Sequence, residues 1–340
     1  MARNGRAGSG HAVSGDGMVE GARMALANVL SVQRGEKILV IMDEQKRSIG
    51  QAFVQGAKAL GANALPYYLN EAKRPLQDIP TDLGPMFKDS HVIINTFYSD
   101  SQETPFRVKL LYEEIANDAR VGHAPGITED MMTKGPLNVD YHVVRKAADY
   151  LMRKFEGAHI VRITAPGGTD VTLDIMGRLF STDVIIDKGT FGNLPAGEMW
   201  CAPVENDANG IIVCDGTIGD IGHVPAPLKM EIRNGRVVAL ESADRELVDN
   251  VKELISVDRM ADVIGELGIG LNPGARLVGN MLEDEKAGGT AHIALGNNID
   301  MVRGQNDSAT HRDFLFHKPT MEVTFVDGSK RVIIKDGNVL

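Results

Sequence analysis

The chain has 340 residues, 43% of them hydrophobic and 24% charged, with a formal net charge of −10. That length accommodates two domains of ordinary size, and the composition is that of a globular protein with no apolar run fit to cross a membrane. The acidic balance, with no basic block at either end, argues against a nucleic-acid or anionic-membrane partner.

The first fifteen residues, MARNGRAGSGHAVSG, are polar and rich in glycine. They carry no apolar segment of the secretory kind, and the expectation is a disordered lead-in over 1–15. Met18 to Val32 has helical spacing, Lys37 to Glu44 is a short apolar run of the buried parallel type, and Ile49 to Leu60 is a second helix stopped by Gly61. Further strands are expected at 62–69, 91–99 and 121–125, with a helix over Thr104 to Asn117 between the last two. This alternation predicts a doubly wound, mainly parallel α/β domain over residues 16–140. No GxGxxG follows the first strand, so dinucleotide binding has no support.

Tyr141 to Gly157 reads as a helix, and beyond it the texture changes. HIVRITAP, DVTLDIMG, GIIVCDG, LKMEIRNG and RVVALE are short alternating runs bounded by Gly, Asn and Asp. Asn234-Gly235 and Asp327-Gly328 are hairpin signals. Helical spacing returns from Ala243 to Ile255. An α+β domain with mostly antiparallel strands is therefore expected over 141–340.

The residues with chemistry gather in the second half. Cys201 and Cys214 are the only cysteines and no CxxC occurs, which disfavours a disulfide framework or a thiolate zinc site and makes the cytoplasm the expected compartment. GxSxG and HExxH are absent, so neither a nucleophile elbow nor a zincin helix is on offer. His292 heads an apolar strand behind the acidic turn Glu283-Asp284-Glu285, where it is a metal ligand or a core histidine. His311 and Asp313 stand at i and i+2, side by side on one strand face. Glu266 lies in the apolar DVIGELGIGLNPGA, where a charge needs a metal, an edge position or a partner such as Arg276. Glu198, in GNLPAGEMWCAP, is a ligand or a solvated turn residue. His317 shares the parity of Asp313 and stays outside the proposed set. Converging, Glu198, Glu266, His292, His311 and Asp313 suffice for two ions sharing a carboxylate.

NLPAGE, the GE-L of IGELGIGLNP, HIALG and the GxNxSxxHxD spanning Gly304 to Asp313 occur in an order that resembles the aminopeptidase T/AmpS family of metallo-aminopeptidases. The likeness covers roughly residues 190 to 325. It implies a two-domain hydrolase that removes N-terminal residues from peptides, usually as a homodimer. It also implies Glu198, Glu266, His292, His311 and Asp313 as ligands of two divalent ions, of which Zn, Co or Mn suit the mixed donors. Two family positions differ: the glutamate five residues before the strand histidine is Ala287 here, and the tyrosine seven residues after it is Ile299. Glu285 or Glu283 of the acidic turn can replace the first, and Glu285 is the expected general base. A related branch resembles 2,5-dihydroxypyridine dioxygenase, with one Fe(II), and a metal-containing protein that binds a small molecule without peptidase turnover is a third reading.

Overall fold

The computed structural model describes residues 10–340, which divide into two compact units. One takes the chain through Val139 together with Ile185–Pro195, and the other takes Asp140–Val184 and Ala196–Leu340.

The first unit runs α1 (Gly10–Asn28), β1 (Lys37–Met42), α2 (Arg47–Ala59), β2 (Asn63–Tyr68), α3 (Gly84–Phe87), β3 (Val92–Thr96), α4 (Thr104–Ala116), β4 (Arg120–His123) and α5 (Glu129–Thr133). After α6 (Tyr141–Lys154) and strands β5 (Ala158–Thr164), β6 (Asp170–Asp174) and β7 (Ser181–Thr182) of the second unit, the chain returns to the first sheet as β8 (Thr190–Asn193). The sheet order is β2-β1-β3-β4-β8 and every pairing is parallel. Strand β3 is buried along its whole length, in keeping with a sheet covered on both faces. The edge strand β2 is partly exposed and carries Pro66, which an edge tolerates.

Two departures from the sequence reading occur here. Helix α1 begins at Gly10, inside the lead-in expected over 1–15; residues 1–9 lie outside the described residues. Further along the helix Gly21 serves close packing, since a Cβ there would stand 2.2 Å from the Met132 carbonyl oxygen of α5. Strand β8 was not foreseen, because TFGN offers neither an apolar run nor an alternation.

The second unit continues with β9 (Glu198–Cys201), β10 (Ala208–Cys214), β11 (Thr217–Ile218), β12 (Gly222–His223), β13 (Leu228–Arg233), β14 (Arg236–Glu241) and α7 (Arg245–Leu254). Then follow β15 (Ile264–Gly270), α8 (Met281–Asp284), β16 (Thr290–Gly296), β17 (His311–His317), β18 (Thr320–Phe325), β19 (Lys330–Lys335) and β20 (Asn338–Val339). Two antiparallel sheets result, ordered β14-β13-β10-β6-β5-β18-β19-β20 and β12-β11-β17-β16-β15-β9-β7. Asn234 and Gly235 both take positive φ between β13 and β14, the hairpin geometry that Asn-Gly favours. One apolar core draws on both sheets, with Val161, Ile163, Leu173 and Met230 from the first and Leu267, Ile269, Ile293 and Phe314 from the second.

Candidate metal centre

The central four strands of the seven-stranded sheet, β9-β15-β16-β17, carry every sequence-predicted ligand. Alternation puts Met199, Cys201, Leu267, Ile269, Ala291, Ile293, Leu295, Phe314 and Phe316 into the core. The opposite parity presents Glu198, Glu266, His292, His311 and Asp313. In β15 this parity depends on a bulge. The register with β16 shifts between Ile264 and Glu266, so Ile264 and Leu267, three residues apart, both face the core. Glu266 is thereby turned to the other face.

Small residues keep that face open. Gly268 stands opposite both Trp200 and His292, and a Cβ built on it would lie 1.9 Å from His292 Nε2. The imidazole therefore lies directly over the Gly268 backbone. Ala294, beside Asp313 and Glu266 in register, is also small.

The ligand atoms converge. His292 Nε2 lies 3.4 Å from Glu198 Oε2, 3.3 Å from Glu266 Oε1 and 3.9 Å from Asp313 Oδ1. His311 Nε2 lies 3.2 Å from Glu266 Oε2 and 3.5 Å from Asp313 Oδ1. Two overlapping donor sets follow, Glu198–Glu266–His292 and Glu266–His311–Asp313, each with its ligand atoms within 4.8 Å of one another. Glu266 belongs to both, one oxygen to each imidazole. The Glu266–His311–Asp313 set is nearer solvent, since the His311 side chain is 34% exposed while that of His292 is 1% exposed. His311 Nδ1 meets the Asn297 carbonyl oxygen at 2.7 Å, and with Nδ1–H donating there Nε2 is the nitrogen that would offer its lone pair once deprotonated.

Electrostatics in this cluster favours cations. Burial disfavours ionisation of Glu266, but its hydrogen bonds with His292 and His311 outweigh that and hold it below the usual carboxylate range. Asp313 is likewise low, the His311 imidazolium overcoming its burial. The same carboxylates raise His292 to about 9 against the effect of burial, and His311 well above its ordinary value. Burial pushes Glu198 and Glu285 up. Glu198 Oε2 is buried without a hydrogen-bond partner and faces His292. A carboxylate oxygen so placed fits a metal ligand, as does the mix of carboxylate and imidazole donors.

Sequence reasoning missed Lys286. It is fully buried, and its Nζ forms ion pairs with Glu198, with Glu285 at 2.5 Å and with Asp183 at 3.6 Å. Asp183 was missed too; its Oδ1 accepts the backbone N–H groups of Gly197 and Glu198, at 2.8 and 3.2 Å. The one signal available was a lysine closing an acidic run just ahead of Ala-Gly-Gly, which reads equally well as a solvated turn.

The acidic turn divides its labour. Glu283 accepts from Arg276 Nε at 3.1 Å, so Arg276 is not the partner of Glu266. Asp284 accepts from Thr217 Oγ1 at 2.5 Å and from the Val278 and Gly279 N–H groups, which holds the loop ahead of α8. Glu285 alone turns to the cluster, through Lys286. His317 pairs with Asp215 at 2.8 Å and stays out of it. Ile299 is 49% exposed and Ala287 is buried.

Residues 141–339, which include all of these groups, match the family described as thermophilic metalloprotease (M29). The chain belongs to that family. Among solved structures, 2,5-dihydroxypyridine dioxygenase from Pseudomonas putida KT2440 is similar with a TM-score of 0.73 at 15% identity, over 96% of this chain and 97% of that one. Wild-type AmpT from Thermus thermophilus is similar with a TM-score of 0.72 at 15% identity, over 96% of this chain and 99% of that one. At such identity the two likenesses establish the fold alone. No curated protein matches the sequence. Among the described residues no helix is long and apolar enough to cross a membrane.

Proposed function

We propose that this metalloprotease-family chain is an aminopeptidase that removes N-terminal residues from peptides with two divalent ions, of Zn, Co or Mn, shared across Glu266. The observation that carries this is the Glu266 carboxylate, whose Oε1 lies 3.3 Å from His292 Nε2 and whose Oε2 lies 3.2 Å from His311 Nε2. Glu198 with His292 would complete one ion's donors, and His311 with Asp313 the other's. Ions held there would bring the pKa of a bound water near neutrality and polarise the scissile carbonyl.

The chain's own groups supply the rest. Glu285 is 8% exposed, beside the donors and paired with Lys286. It is the group we assign to take the proton from water and deliver it to the leaving amine. Lys286 holds Glu285 and Glu198 at one point, so the base and one ligand are positioned together. The open side at His311 admits the peptide. The net charge of −10 supports action without nucleic acid or an anionic membrane, and the family resemblance supports a homodimer in the cytoplasm.

A second reading has one observation in its favour. His292 and His311 both approach Asp313 Oδ1, at 3.9 and 3.5 Å, a two-histidine, one-carboxylate arrangement that suits a single Fe(II). Hydrolysis of leucyl-p-nitroanilide after loading with Co, Zn or Mn supports the aminopeptidase. Oxygen uptake on dihydroxylated aromatics by an iron-loaded chain supports the alternative, and metal binding without either turnover refutes both.

A further inference from the structure

Lys286 brings a fixed positive charge into direct contact with one donor set, while it reaches the other only through space. Its Nζ is the meeting point of Asp183, Glu198 and Glu285, contributed by three separate segments. Of these only Glu198 is a proposed ligand, and it is divided. Oε1 is paired with the ammonium, while Oε2 faces His292 at 3.4 Å. Glu266 and Asp313 pair instead with His292 and His311, and the ammonium acts on Asp313 only through space.

A second asymmetry points the same way. The imidazole of His311 is oriented by the Asn297 carbonyl oxygen, 2.7 Å from Nδ1. His292 Nδ1 is buried with no hydrogen-bond partner, so nothing on that side fixes its tautomer or its ring. Partners of this kind are worth about 10–100-fold in metal affinity.

We infer that Lys286 acts as a resident monovalent cation that makes the two ion positions unequal. The Glu266–His311–Asp313 position is the tight one. The Glu198–Glu266–His292 position holds its divalent ion weakly and exchanges it, because a neighbouring ammonium repels that ion in a low-dielectric site and already shares the Glu198 charge. The inference rests on the two-ion reading above and adds an order of filling. With limiting metal the chain carries one ion at the outer position, and occupancy of the inner one follows metal supply.

The test is stepwise Co2+ binding to the chelator-stripped full chain, followed by calorimetry and visible absorption, with bound cobalt counted by elemental analysis. The expected wild-type curve has two steps, their affinities separated by about tenfold or more. E198Q should lose the weak step and keep the tight one, and H311A should lose the tight step. K286M should tighten the weak step by about tenfold or more, since it removes the repelling charge. Two equal steps, loss of the tight step in E198Q, or a K286M second step unchanged or weaker would overturn the inference while leaving the two-ion reading intact. No second ion up to millimolar Co2+ would overturn both. Circular dichroism checks that K286M is folded; if it is not, the E198Q and H311A curves decide.

Discussion

Gly268→Ala asks whether the ring of His292 is held where the structure has it. The added Cβ would stand 1.9 Å from Nε2, 2.2 Å from Cε1 and 2.6 Å from Cδ2 of His292. Ordinary contact begins near 3.4 Å, so the ring must retreat by 3.4 − 1.9 = 1.5 Å. A metal–nitrogen bond tolerates only about 0.2 Å, so His292 leaves the Glu198–Glu266 set. With no partner on Nδ1 to resist, the ring moves before the backbone does. Overpacking of this kind costs about 1–3 kcal/mol in stability, enough to lower the melting temperature without unfolding the chain. The assay is bound metal per chain beside peptidase turnover. We expect the inner ion to be lost, the outer one to stay, and turnover to fall by more than about tenfold. Gly288→Ala is the control, because its Cβ would meet nothing closer than 3.6 Å. A Gly268→Ala chain that binds both ions with wild-type affinity would refute the reasoning.

Other perturbations follow from the same geometry. Glu285→Gln should keep its metal content and lose turnover by about 10²–10⁴-fold; full turnover would remove Glu285 as the base. In the chelator-stripped chain His292 titrates near 9, above its unfolded value of about 6.5. Its stabilising charge is thus complete below about pH 6.5 and lost as pH rises through 9, so the melting temperature of the metal-free chain should fall over that window while that of the loaded chain does not. A flat or rising metal-free profile would contradict this. In the first unit Arg74 pairs with Asp43 and, at 2.5 Å, with Glu103, both fully buried. Arg74→Met strands two carboxylates and should cost about 3–5 kcal/mol by urea unfolding; a loss under about 1 kcal/mol would show that water or rearrangement compensates them.

The parts of the fold that sequence made legible are those with a strong local period. Alternating runs ending in Asn234-Gly235 and Asp327-Gly328 became hairpins because both the pattern and the turn chemistry are local. The α/β alternation before residue 140 became a parallel sheet for the same reason. Strand β8 escaped because its place is set by β4, seventy residues earlier in register, and not by its own four residues. Helix α1 escaped at its start because residues 10–15, GHAVSG, hold two glycines and no helical apolar spacing.

At the site, residue type and parity were enough to single out Glu266, His292, His311 and Asp313 as chemistry-bearing. The bulge that turns Glu266 to their side was invisible, since it depends on the register with β16. Lys286 was invisible for a different reason. A lysine in an acidic turn is ordinarily solvated, and its complete burial follows only from where Asp183, Glu198 and Glu285 meet.

The central claim is a pair of ions sharing Glu266, and the count of metal ions per chain at saturation, by elemental analysis of the Co- or Zn-loaded protein, tests it most directly. The account predicts about two ions per wild-type chain, with hydrolysis of an aminoacyl anilide. One iron per chain, with no second ion under any loading and oxygen uptake in place of hydrolysis, would contradict it.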